Sequence, residues 1–100
     1  MGFLGLAEKE NDHVRKRGWG TITIDILEAA LSPQKKTRIM YKANLNYDRF
    51  DRYFVDLVKK GFLVEASDPY GKPEYKISER GKIFLDALRK AQDIAEGAEY

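Results

Sequence analysis

The clearest periodicity in the chain runs over residues 47–60. Phe50, Tyr53, Phe54 and Leu57 fall at i, i+3, i+4 and i+7, which places one apolar stripe on a helix. Asn46 stands before it as a side-chain N-cap, Asp48 complements the dipole in the first turn, and Gly61 follows Lys59-Lys60 as a C-terminal stop. The outward face carries Asp48, Arg49, Arg52, Asp56 and Lys59. Upstream, Ile22, Ile26, Ala29 and Ala30 recur at helical spacing beside Leu27 and predict a helix over residues 21–31, capped by Thr21 or Thr23. The β-branched run Thr21-Ile22-Thr23-Ile24 weakens that expectation in the first turn, and Ser32-Pro33 ends the element. A short helix follows over residues 36–42, with Ile39 and Ala43 inward and Arg38 and Lys42 outward; Leu45 plugs the turn after it.

Beyond Gly61 the period changes to two. Residues 62–65 and 74–78 read as strands, the second with Tyr75 and Ile77 on one face. Asp68-Pro69-Tyr70-Gly71-Lys72-Pro73 joins them as a turn, so the pair forms a hairpin. Ser78 caps a final helix with apolar residues at Ile83, Phe84, Leu85, Ala87, Leu88, Ala91, Ile94 and Ala95. Phe84, Leu88, Ala91 and Ala95 form one side, Ile83, Ala87 and Ile94 widen it, and Leu85 lies apart. Such a stripe is too wide for a lone surface helix. One side seals the core, and the surplus calls for a partner. Residues 1–20 show little periodicity and carry Gly2, Gly5, Gly18 and Gly20, which predicts a flexible segment; Val14-Arg15-Lys16-Arg17 within it reads as a mobile tail or a DNA-following arm.

A short helix, a tight turn, a longer helix and a hairpin make the plan of a winged helix-turn-helix. The fold class is therefore α+β, mainly helical, with a two-stranded wing and a C-terminal helix. The expected division is a tail over 1–20, a winged-helix domain over 21–80, and a dimerisation helix over 81–100.

Composition narrows this further. One hundred residues, 43% of them hydrophobic, suffice for one core. The absence of cysteine excludes disulfides and thiolate zinc sites. A charged fraction of 34% without cysteine suits an intracellular protein and is a compositional trait shared with proteins from hot habitats. Apolar runs fall short of the ~18 residues that would suggest a membrane span. The apolar stretch 1–7 is short and leads into acidic residues, unlike a signal peptide. A soluble, cytoplasmic protein is the expectation. The net charge of +2 hides an uneven distribution: residues 33–60 hold eight basic and three acidic residues, net +5, whereas 1–32 are net −1 and 61–100 net −2. A local excess of that size is what a phosphate-facing surface needs.

The segments KKTRIMYKANLNY, KKGFLV and YKISERGKIFL together resemble the archaeal winged-helix regulators, some of them small chromatin-associated DNA-binding proteins that dimerise through the C-terminal helix. The resemblance spans roughly Ile26 to Leu88. It implies a winged-helix fold, binding of double-stranded DNA, a homodimer and no cofactor. Asn46 stands where the family usually opens its recognition helix with Ser, and it still caps. The C-terminal helix is shorter than in the coiled-coil members, which argues against a long rod-like dimer and leaves a compact helix pair open.

The second helix of such a motif lies in the major groove with its N-terminal residues at the base edges. Arg49 and Arg52 are the outward side chains suited to guanine O6 and N7, with an ion pair to Asp48 or Asp56 as the plainer reading. Tyr47 suits a phosphate or a thymine methyl. Lys35, Lys36, Thr37 and Arg38 open the preceding helix, where phosphate is favoured, and Lys72 sits at the hairpin tip. Tyr70 and Lys76 are lesser wing candidates. Phe50, Tyr53 and Phe54 belong to the core, and Trp19 and Tyr41 stand open between core edge and interface. The dimer candidates are Ile83, Phe84, Ala87, Leu88, Ala91, Ile94 and Ala95.

Catalysis lacks parts. The single histidine, His13, lies in a polar stretch, and no metal-ligand set, phosphate-cradling glycine loop or nucleophile–base pair is present. Nothing calls for a small-molecule ligand. The competing reading is a protein-interaction module in a larger complex, favoured by Asp48, Asp51 and Asp56 on the candidate recognition helix, because carboxylates there repel phosphate.

Overall fold

Six elements follow one another in the computed structural model, which describes residues 17–97: α1 (Trp19–Ala29), α2 (Lys36–Lys42), α3 (Tyr47–Lys59), β1 (Leu63–Ser67), β2 (Pro73–Ile77) and α4 (Glu79–Gly97). The expectations for residues 1–16 of the tail, His13, Val14, Arg15 and Lys16 among them, lie outside the described residues, whereas its end does not form a flexible segment, because Trp19 and Gly20 belong to α1.

The first helix starts at Trp19, earlier than expected, and its N-cap is Gly18 without a side-chain hydrogen bond, so neither Thr21 nor Thr23 caps it. The β-branched run is helical because Ile22, Thr23, Ile24, Ile26 and Leu27 are all buried. Packing on several sides outweighs a weak local propensity.

The third helix follows its sequence pattern closely. Asn46 Oδ1 accepts from the backbone N–H of Arg49 at 2.9 Å, and Phe50, Phe54 and Leu57 are buried. Gly61 takes the left-handed conformation, φ 79°, and Phe62 N–H donates to Leu57 O at 2.9 Å, closing the helix end. A side chain at Gly61 would strain that turn.

The wing is a two-stranded antiparallel hairpin with Leu63 opposite Ile77 and Ser67 opposite Pro73. The first strand lies one to two residues further along than the sequence suggested, and the second begins and ends one residue earlier. An unforeseen pairing covers the other edge of β2. Gln34 and Tyr75 exchange backbone hydrogen bonds of 3.0 and 2.8 Å, and Ile77 N–H donates to Ala30 O at 2.8 Å. The segment after α1 is thus tied to the wing.

The first turn of α4 grips the end of α3. Ser78 Oγ accepts from Gly81 N–H at 2.9 Å, the N-cap bond foreseen from sequence, and donates to Gly61 O at 2.6 Å. Ser78 N–H donates to Phe62 O at 3.0 Å, and Arg80 Nε donates to Lys60 O at 3.0 Å. Gly81 is buried against Phe62. Further along, Arg89 binds Glu28 and Gln92 binds Thr21, which holds α4 across α1.

This docking corrects the expected faces of α4. Leu85, placed apart by the sequence pattern, is the deeply buried residue of the helix, and Phe84 and Leu88 pack at the core's edge. Ala91 and Ala95, grouped with that side, are exposed. The inward stripe is Gly81, Phe84, Leu85 and Leu88, whose spacing is helical once the glycine is counted. Trp19 is 51% exposed and its ring meets Phe84 edge-on at 6.0 Å, while Phe84 stacks on Phe62 at 4.3 Å. Tyr41 is exposed.

Candidate nucleic-acid interface

The turn between α2 and α3 is short and tightly specified. Ala43 and Leu45 are buried beneath it, and Asn44 adopts a left-handed conformation, φ 58°, which Asn tolerates better than most residues. The last carbonyls of α2 accept from the turn, Tyr41 O from Asn44 N–H at 3.0 Å and Met40 O from Leu45 N–H at 3.3 Å, which leaves the carbonyls of Ala43 and Asn44, just beyond the helix, in need of a donor. Arg17 supplies one. Its guanidinium donates to Ala43 O at 2.7 Å and Asn44 O at 2.8 Å, and also bonds Asp25 at 2.8 Å. Arg17 therefore ties α1 to the turn, and the arm-or-tail reading of this residue is corrected. A fixed partner 26 residues away leaves no local sequence signal. Arg17→Ala is expected to destabilise the fold by about 1–3 kcal/mol, the cost of charge-assisted hydrogen bonds and exposed orphan carbonyls. Urea unfolding measures this; an unchanged midpoint would show that the staple contributes nothing.

With the turn fixed, α3 presents Tyr47, Asp48, Arg49 and Arg52 to solvent, Tyr47 at 58% exposure. The expected local ion pairs do not form at the arginines. Asp56 binds Lys60 at 2.9 Å, and Asp51 binds Lys36 of α2 at 2.8 Å. Among the described residues, Arg38, Lys42, Arg49, Arg52, Lys59, Lys72 and Lys76 make no ion pair. Thr37 and Arg38 are exposed on α2, and Lys72 is exposed at the wing.

Lys35 and Lys36 differ from the others. Lys35 Nζ lies 2.5 Å from Asp68 and 4.0 Å from Glu74, so it latches the wing to the start of α2. Asp68 also accepts from the backbone N–H groups of Tyr70 and Lys72, at 2.8 Å each, shaping the wing turn. The Lys35 ammonium, then the Lys72 and Tyr70 amides, hold the Asp68 carboxyl below its usual range. Lys36 is pulled above its usual value, chiefly by its hydrogen bond to Asp51, and lies near the rings of Tyr47 and Phe54 at 5.7 and 4.9 Å. These pairings join residues 33 and 15 positions apart, which sequence spacing does not reveal.

The dimer candidates divide between surface and core edge. Ile83 and Ile94 are 71% and 72% exposed, and Ala87, Ala91 and Ala95 are exposed too, whereas Phe84 and Leu88 are half-buried. An open apolar groove of about 560 Å³ runs between Phe62, Arg80, Ile83, Phe84 and Ala87. Among the described residues no cluster of acidic or histidine side chains is arranged to hold a metal ion, and no helix is long and apolar enough to cross a membrane.

A family model described as winged helix-turn-helix matches residues 16–96. The chain belongs to the winged helix-turn-helix family. Members share a DNA-binding fold and are not known as enzymes. Among solved structures, the winged helix is similar to Sso10a-2, a DNA-binding protein from Sulfolobus solfataricus, with a TM-score of 0.73 and 30% identity over 83% of this chain and 86% of that one. A MarR family transcriptional regulator from Silicibacter pomeroyi shares the fold at a TM-score of 0.61 and 16% identity, covering 96% of this chain and 75% of its own. An uncharacterized protein of Methanocaldococcus jannaschii is 30% identical over 91 residues, 89% of each chain. The archaeal winged-helix resemblance in the sequence thus agrees with the family match and with Sso10a-2.

Proposed function

We propose that this chain binds double-stranded DNA as a homodimer, reading the major groove with α3, and acts as a transcriptional regulator or a chromatin-associated protein. The observation that carries the reading is the pair Arg49 and Arg52, exposed on α3 beyond a capped first turn and bound by no carboxylate among the described residues. Planar guanidiniums held by a rigid helix suit guanine edges. Thr37, Arg38, Tyr47 and Lys72 flank them as phosphate contacts on α2, α3 and the wing. Sso10a-2, named as a DNA-binding protein, supports the same partner.

The homodimer rests on Ile83 and Ile94, with Ala87, Ala91 and Ala95 around them. Two-fold pairing there would set the two α3 helices against half-sites about 34 Å apart. Sedimentation is expected to give twice the 11.5 kDa of the chain. A monomer at micromolar concentration would remove the dimer.

Fluorescence anisotropy with a random-sequence duplex and with the protein's own promoter, across about 50–200 mM salt, tests the function. Salt-sensitive binding that prefers the promoter indicates a regulator. Equal salt-sensitive binding to both indicates a chromatin role. Absence of binding at the low-salt end would overturn the reading in favour of a protein-interaction module.

A further inference from the structure

Lys36 is a cation on the DNA-facing corner that does not point freely to solvent. Its ammonium bonds Asp51 Oδ1 at 2.8 Å, and Asp51 comes from the opposite helix of the helix-turn-helix, not from its own turn. Both side chains are about one-third exposed, 35% for Lys36 and 34% for Asp51, and the Tyr47 and Phe54 rings lie beside the ammonium. The carboxylate therefore occupies a position where a phosphate oxygen would satisfy the same ammonium. Of the other acidic groups on these elements, Asp68 holds Lys35, Asp56 holds Lys60, and Asp48 is exposed with no ion pair among the described residues.

We infer that Asp51 is an intramolecular phosphate surrogate that holds Lys36 in reserve and thereby limits non-specific DNA affinity. The inference rests on the proposed DNA-binding function and adds a tuning residue to it. Sequence-independent affinity comes from lysine and arginine neutralising phosphates with release of counterions. A lysine already neutralised by its own protein releases fewer ions and gains less. A phosphate must displace Asp51 or share the ammonium with it, and either way meets a carboxylate nearby. The exposed arginines keep full access to the bases. The pair thus lowers the backbone contribution while leaving base reading intact, which favours discrimination between sequences.

The test uses the full-length protein and a random-sequence duplex across a salt series. Asp51→Asn is expected to bind about fivefold more tightly, the worth of one surface ion pair, with a log–log salt slope steeper by about 0.9. Asp93→Asn on α4 removes the same charge outside the helix-turn-helix and is expected to change neither quantity, because Asp93 is exposed and does not pair with Lys36. Lys36→Gln closes a double-mutant cycle. The double variant is expected to bind no more tightly than the parent, because the ammonium released by Asp51→Asn is gone. Far-ultraviolet circular dichroism and the melting midpoint check that each variant folds.

Asp51→Asn binding no more tightly than the parent would overturn the inference. So would a gain that survives Lys36→Gln, since Lys36 would then not be the cation released. Failure of the parent protein to bind any duplex is a different result, and it overturns the proposed function itself.

Discussion

Gly81→Ala is expected to destabilise the protein by about 3 kcal/mol, against the rule that alanine is the better helix former. Gly81 lies in the first turn of α4, where that rule predicts a gain of up to about 1 kcal/mol. The site decides otherwise. A Cβ there would collide with the Phe62 carbonyl oxygen and stand 2.7 Å from Ile77 Cγ1. The carbonyl has little room to retreat: it already accepts from Ser78 N–H at 3.0 Å, while Ser78 Oγ holds Gly61 O at 2.6 Å. Relief requires α4 to lift away from the end of α3, which opens the contacts of Leu85 and Leu88 with the core. Urea unfolding monitored by circular dichroism measures the effect. Stability equal to or above the parent would show that α4 does not dock this closely. The same joint couples the two proposed activities. It fixes the C-terminal helix to the end of α3, so a dimer formed through α4 would set the spacing of the two recognition helices.

Replacing Arg49 and Arg52 together by alanine is expected to weaken DNA binding by about a hundredfold or more, since each guanidinium on a base edge contributes about 1–3 kcal/mol. Stability is expected to stay within about 0.5 kcal/mol, because both side chains are exposed, neither makes an ion pair among the described residues, and alanine suits a helix. The Asn46 cap bonds the backbone of Arg49, so it survives the substitution. Titration of duplex DNA by anisotropy, beside a thermal melt, separates the two quantities. Unchanged affinity in a folded double variant would remove these arginines from the interface.

How much of this was legible in the sequence depends on the range of the interactions involved. The third helix was legible almost entirely, since its stripe, its Asn46 cap and its Gly61 stop are local devices. The Ser78 cap and the Asp68 turn were legible for the same reason. The inward face of α4 was not, because one of its packing positions is a glycine. A hydrophobic pattern gives no weight to Gly81, so the stripe through Leu85 was misread. The start of α1 was hidden by Gly18 and Gly20, which argue against a helix until the buried Ile22, Ile26 and Leu27 outweigh them.

The candidate interface was legible in residue type but not in state. The basic excess of residues 33–60 marked the surface, and the outward positions of Arg49 and Arg52 followed from helical spacing. That Lys35 and Lys36 are held by Asp68 and Asp51 depends on tertiary contacts between separate elements. Arg17 illustrates the same limit: read locally it belongs to a basic run, yet its bonds reach Asp25 and the turn at Ala43 and Asn44.

Amide chemical shifts of the labelled protein, recorded while a short duplex is added at low salt, test the DNA-facing assignment most directly. The largest changes are expected at Tyr47, Arg49 and Arg52, smaller ones at Thr37, Arg38 and Lys72, and little change at Ile83 and Ile94. Changes concentrated on α4, or none at saturating DNA, would contradict that assignment.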